Sequence, residues 1–222
     1  MSHFETLMAR DGHAFQAYIA SPVGHVRGAV VVIQEIFGLT AHIRSLVDSY
    51  AAEGYLALAP ALFDRLRRDL VLGNSPEEIE RARGYRQQIP AAKSLLDISA
   101  SVAVARHSGK VAVLGYCWGG TLAWLAAAEI PLGAAVCYYG AAIVDHLERS
   151  PACPTLLHFG ERDASIPPAA VERIRAAFPQ GLYYLYAAGH GFNNDTRPQY
   201  YDAAAATLAR ARTQAFLAQH IG

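Results

Sequence analysis

Gly115-Tyr116-Cys117-Trp118-Gly119-Gly120 carries the clearest chemical content in this chain. It follows the apolar run Val111–Leu114 and precedes a stretch of helical character. A nucleophile held on a sharp strand-to-helix turn needs small neighbours, because strand and helix approach closely there. The segment reads as a glycine-x-nucleophile-x-glycine elbow with sulfur in place of the usual oxygen. Amides at the start of the following helix would favour thiolate and could hold an oxyanion. The plain alternative is a buried structural cysteine in a glycine-rich turn. Cys137, inside an apolar run, and Cys153, between Ala152 and Pro154, are read as structural.

A cysteine nucleophile needs a base, and the base needs an orienting group. The apolar run 155–159 leads into Gly160-Glu161-Arg162-Asp163, and a later run leads into Gly189-His190-Gly191. Asp163 and His190 therefore fall at strand ends, with Glu161 as the rival acid. The order nucleophile, acid, histidine is that of the α/β-hydrolases and differs from both serine protease orders. Taken singly, Asp163 reads as a loop cap and His190 as a surface histidine; jointly they complete a triad. Glu35, after the run 29–33, is a carboxylate at another strand end, and it should be paired or shifted. It reads either as a salt-bridge partner of an arginine or as a carboxylate facing the thiol, with the Ile36 amide joining the oxyanion hole.

These residues must be positioned by the elements around them. Residues 4–20 read as a hairpin with a two-residue turn at Asp11-Gly12. Short apolar runs then alternate with amphipathic stretches. Strands are expected at 29–33, 55–59, 111–115, 134–139, 155–159 and 182–187. Helices are expected at 41–53, from Ser75-Pro76-Glu77-Glu78 (a capping box with proline at the first turn), at 92–107, 119–128 and 168–177, and from Pro198 to His220. Arg81 and Tyr85, four apart, share a helix face. The alternation predicts a mostly parallel central sheet with helices on both faces and an N-terminal hairpin, in one uncut domain over 1–222. Functional loops then lie at the carboxyl ends of the strands.

Composition narrows the class. Over 222 residues, 19 Lys and Arg balance 19 Asp and Glu, 53% of residues are hydrophobic and 17% are charged. That rules against a disordered chain and against the basic excess of a nucleic-acid binder. Three scattered cysteines make neither a disulfide framework nor a metal site, so a reducing cytoplasm is the default. Met1-Ser2-His3-Phe4-Glu5 does not read as a secretory signal. Residues between Lys110 and Glu129 carry no formal charge, yet their central glycines favour a buried strand, turn and helix over a membrane span.

Together, Gln34-Glu35-Ile36-Phe37-Gly38, Gly115-Tyr116-Cys117-Trp118-Gly119-Gly120, Tyr138-Tyr139-Gly140 and Gly189-His190-Gly191-Phe192 resemble the dienelactone hydrolase (carboxymethylenebutenolidase) family over essentially the whole chain. The resemblance implies an α/β-hydrolase fold and a Cys117–Asp163–His190 triad. It implies that Glu35 holds the resting thiol and takes its proton when substrate enters. Arg81 and Tyr85 match the pair that binds a substrate carboxylate in this family, and Tyr138 matches a pocket tyrosine. One position departs: the second carboxylate-binding arginine, four residues after the histidine, is replaced by Asn194, with Arg197 three residues later as a candidate substitute.

The expectation is hydrolysis of a lactone or ester through a thioester, with the Ile36 and Trp118 amides facing the oxyanion and no metal or organic cofactor. A small-molecule substrate is the expected partner, without nucleic acid or membrane, in a monomer or weak homo-oligomer. Two other readings stay open: a general carboxylesterase or thioesterase on neutral esters, and a non-catalytic, redox-sensitive ligand-binding protein.

Overall fold

Alternation at the amino end buries Phe15, Ala17 and Ile19 on one face and leaves the residues between them partly wet, which is the period of a half-covered strand. Strands β1 (Ser2–Met8) and β2 (Ala14–Ala20) pair antiparallel. Their connection is longer than the two-residue turn expected. Gly12 N–H donates to the Ala9 carbonyl and Ala9 N–H to the His13 carbonyl, both at 2.9 Å. Three residues, Arg10-Asp11-Gly12, therefore lie inside the turn. Gly12 alone takes a left-handed conformation, φ 80°, the pattern of a type I turn closed by a glycine bulge.

The computed structural model describes residues 2–222 and divides into two units, the first ending at Val111 and the second spanning Ala112–Gly222. In the first, β2 runs antiparallel to β4 (Tyr55–Pro60), which runs parallel to β3 (Gly28–Ile33). Every residue of β3 is buried, as a continuous run of branched side chains should be in a covered parallel strand. Each fully buried valine or isoleucine contributes roughly 1.5–3 kcal/mol. Helix α1 (Ala41–Ala52) starts at a Thr40 cap and stops before left-handed Gly54. Helix α2 (Pro76–Gln87) opens with the expected capping box, Ser75 and Glu78 each holding the other's backbone amide. Helix α3 (Ala91–Ala105) buries Leu95, Ile98 and Val102, a three-to-four residue spacing.

The second unit holds α4 (Trp118–Glu129), α5 (Pro168–Ala177) and α6 (Ala203–His220). Its strands are β5 (Val111–Tyr116), β6 (Ala134–Tyr138), β7 (Thr155–Gly160) and β8 (Leu182–Tyr186), β5 beginning on the last residue of the first unit. They pair in that order, parallel throughout. Parallel strands end at one edge, so the residues just after β5, β6, β7 and β8 become neighbours. Helix α6 begins five residues later than expected. Asp202 caps it by accepting from Ala205 N–H at 3.0 Å, while Pro198 lies before it in the turns of 191–200. The uncharged stretch after Lys110 is β5, the elbow and α4, and no helix of the described residues is long and apolar enough to cross a membrane.

Candidate active site

Cys117 follows β5 directly, with φ 55° and ψ −116°. That left-handed backbone is costly for a residue with a side chain, of order 1–3 kcal/mol, and persists only where its surroundings enforce it. The enforcement is visible. Cys117 N–H donates to the Tyr138 carbonyl at 3.0 Å, and its own carbonyl accepts from Gly120 N–H at 2.9 Å. A Cβ on Gly115 would lie 1.8 Å from the Gly119 carbonyl oxygen, and one on Gly120 would lie 2.5 Å from that of Tyr138. Only glycines fit where strand and helix meet. Trp118 is the first residue of α4, so its amide stands at a helix amino end, where partial positive charge favours a thiolate or an oxyanion.

His190, on the loop after β8, brings Nε2 to 3.1 Å from Cys117 Sγ and Nδ1 to 2.7 Å from Asp163 Oδ2. Asp163 is buried on the loop after β7, and its other oxygen accepts from Ser165 N–H at 2.8 Å. Both carboxylate oxygens are thus occupied, which fixes the plane of the group and the ring it holds. Burial of His190 works against its charge, but the Cys117 sulfur and the Asp163 carboxylate outweigh it, so its pKa stands well above the ordinary value. Sulfur, imidazole and carboxylate thus stand in line, an arrangement that can serve a nucleophile and its base. Burial pushes the Cys137 thiol above the usual range and Cys153 up to about 11. Glu161 N–H donates to the Tyr186 carbonyl, and Asp163, not Glu161, reaches His190.

Tyr138 lies deeper than the resemblance implied. Its side chain is fully buried and its hydroxyl bonds Thr213 Oγ1 at 2.7 Å. It is a core residue stacked on Tyr116, ring centroids 4.6 Å apart, rather than part of an open pocket wall. Tyr139, which the sequence reading passed over, has φ 38° and places its ring 5.1 Å from that of His190. Its position straight after a strand, before Gly140, was the available signal. Asn194 is buried, and its Oδ1 accepts from Thr196 N–H and hydroxyl, closing a local turn. Arg197 lays its guanidinium over the Tyr200 ring at 4.3 Å.

Four candidates belong to the first unit. Glu35 is buried in the turn that follows β3, and Ile36 beside it is half-buried. The turn is braced by Gln34, whose side chain accepts from Leu62 N–H at 3.1 Å and donates to the Glu35 carbonyl at 3.2 Å. Arg81 is exposed on α2, and Tyr85, one turn later, packs edge-on against Phe63. Among the described residues, no group of three or more His, Cys, Asp and Glu side chains could hold a metal ion.

The sequence model of the dienelactone hydrolase family matches residues 15–221. Carboxymethylenebutenolidase of Pseudomonas putida is 33% identical over 225 residues, covering 96% of this chain and 94% of that one. Carboxymethylenebutenolidase 1 of Cupriavidus pinatubonensis is 32% identical with the same coverage. A solved Klebsiella pneumoniae structure classed with the dienelactone hydrolases superposes with a TM-score of 0.87 at 33% identity, covering 99% of this chain and 98% of that one. A dienelactone hydrolase-like promiscuous phosphotriesterase from metagenomic libraries shares the fold at a TM-score of 0.79 and 21% identity. The architecture is the α/β-hydrolase fold.

Proposed function

Because this chain belongs to the dienelactone hydrolase family, and is on that ground a hydrolase of ester or lactone bonds, we propose that it opens a carboxylate-bearing lactone through a thioester on Cys117. The observation that carries the proposal is the unbroken line Cys117 Sγ, His190, Asp163, at 3.1 and 2.7 Å. Cys117 passes its thiol proton to His190 as its sulfur attacks the lactone carbonyl; a C–S bond forms and negative charge collects on the carbonyl oxygen. Helix-terminal amides, Trp118 first among them, stabilise that charge, and Ile36 is the second donor by family resemblance. Collapse breaks the ring C–O bond, and the departing enolate takes the proton from His190. Water then gives a proton to His190 and its oxygen to the thioester, releasing a carboxylic acid and restoring the thiol–imidazole pair.

By the same resemblance Glu35 holds the resting thiol, and Arg81 with Tyr85 receives the substrate carboxylate, a match of planar fork to planar anion. Asn194 cannot supply the second positive charge, and Arg197, whose guanidinium lies over the Tyr200 ring, is the candidate substitute. A reducing compartment suits an enzyme whose nucleophile is a thiol.

The test is a panel of cis- and trans-dienelactone with neutral aryl esters as control. Cys117→Ala is expected to abolish turnover of all of them. Arg81→Met is expected to raise KM for the anionic lactones about tenfold or more, the scale of one charge-assisted contact, and to leave the neutral esters near wild type. Equal effects on both substrate classes would instead favour an esterase of neutral substrates.

A further inference from the structure

Behind the elbow runs a chain of buried polar groups. The Arg212 guanidinium lies over the Tyr184 ring at 3.9 Å and 5.3 Å from the centre of the Tyr186 ring. The Tyr186 hydroxyl stands 2.8 Å from His158 Nδ1, and His158 Nε2 stands 3.0 Å from Thr213 Oγ1. Thr213 Oγ1 stands 2.7 Å from the Tyr138 hydroxyl. His158 and Thr213 are fully buried. Burial first, and the nearby Arg212 charge second, push the His158 pKa down to about 3, so the ring is neutral and carries one proton.

A neutral imidazole has one donor and one acceptor nitrogen, so of its two hydroxyl partners, Tyr186 and Thr213, one receives a proton from His158 and the other gives one. Both nitrogens of the buried ring are thereby used, and the two partners hold it in a single tautomer. The line ends on the residue that holds the nucleophile: the Tyr138 carbonyl receives Cys117 N–H at 3.0 Å, and its ring stacks on Tyr116. His158 acts a second time, since its carbonyl accepts from Tyr139 N–H at 2.8 Å.

We propose that Tyr186, His158, Thr213 and Tyr138 form a hydrogen-bond relay from β8 through β7 and α6 to β6, in which Thr213 and His158 are positioning residues for the Cys117 elbow. The catalytic consequence rests on Cys117 being the nucleophile; the relay itself does not.

Three readouts test it on the full chain. Nitrogen-15 NMR of histidine-labelled protein is expected to show His158 neutral and in a single tautomer from pH 5 to 9; a mixture of tautomers, or an imidazolium, overturns the relay. Thr213→Val keeps the side-chain shape and removes the hydroxyl. It is expected to lower kcat about tenfold, the scale of a slightly displaced nucleophile, with KM within about twofold, whereas Thr213→Ser stays near wild type. A Thr213→Val kcat equal to wild type, or a serine variant equally impaired, contradicts a positioning role. Should Thr213→Val not fold, Tyr186→Phe serves in its place: it is expected to release the His158 tautomer to a mixture and to slow Cys117, and an unchanged tautomer and rate contradict the relay. The rate of Cys117 alkylation by iodoacetamide is followed in every variant. If wild type hydrolysed no ester, the functional reading would fail while the alkylation rates and the tautomer still decided the relay.

Discussion

The proposed chemistry rests on three side chains, and the middle one depends on both neighbours. His190 holds its proton because sulfur and carboxylate together overcome the effect of burial. Asp163→Asn keeps the shape of the anchor and removes its charge. An amide can also offer N–H to Nδ1, which would turn the ring to the wrong tautomer. The variant is expected to lose about 10²- to 10⁴-fold in kcat with KM little changed. With the carboxylate gone one cause of the raised His190 pKa disappears, so the pH above which the imidazolium is lost should move down. Cys117 alkylation against pH measures this directly, and a wild-type profile would contradict the role of Asp163. The three positions were legible in the sequence because each follows an apolar run near glycine: Cys117 two residues from Gly115 and Gly119, Asp163 three after Gly160, and His190 between Gly189 and Gly191. Tyr138 was not: residue type and family pattern placed it in a pocket, whereas the hydrogen-bond partner of its hydroxyl, Thr213, comes from a helix 75 residues away in sequence. No local pattern reveals such a partner.

At the scale of elements, the elbow depends on how closely β5 and α4 approach. Gly115→Ala would set a Cβ 1.8 Å from a carbonyl of the helix, and neither backbone can yield without breaking its own hydrogen bonds. The expected loss is at least about 2 kcal/mol of stability, read from urea unfolding midpoints; an alanine variant as stable as wild type would refute the close approach. Strand and helix periods were readable because branched runs, the capping box at Ser75 and Gly54 each act locally. Two boundaries were not. Asp11-Gly12 reads as a two-residue turn, but Gly12 takes the bulge position while Asp11 accepts from Arg65 and Lys93. Alanine-rich sequence permits helix from Pro198 onward, yet the Asp202 cap decides where α6 begins.

Across the molecule, the second unit carries the triad and the relay, while the first holds its own ionic clamp. Arg65 forks onto buried Asp97 of α3 at 2.8 and 2.7 Å and reaches the hairpin turn at Asp11. Burial pushes the Asp97 carboxyl up to about 6, only partly offset by Arg65. A carboxyl raised above its unfolded value of 3.8 adds stability that is complete below that value and is lost as pH rises through about 6. The stability of wild type relative to Asp97→Asn should therefore increase as pH falls from 7 to 4.5. A difference that is flat, or that grows with pH, would contradict the assignment. Composition foretold a neutral chain with a large core, but not this clamp, since pairing across 32 and 54 residues of sequence follows from the fold alone.

The central claim is that Cys117 carries the substrate's acyl group. Acid quenching of wild type during turnover of a slow aryl ester, followed by proteolysis and mass spectrometry, tests it most directly. The account predicts a hydroxylamine-labile mass increment equal to the acyl group on the peptide containing Cys117, absent from Cys117→Ala. An acyl group on any other residue, or hydrolysis by Cys117→Ala at the wild-type rate, would contradict it.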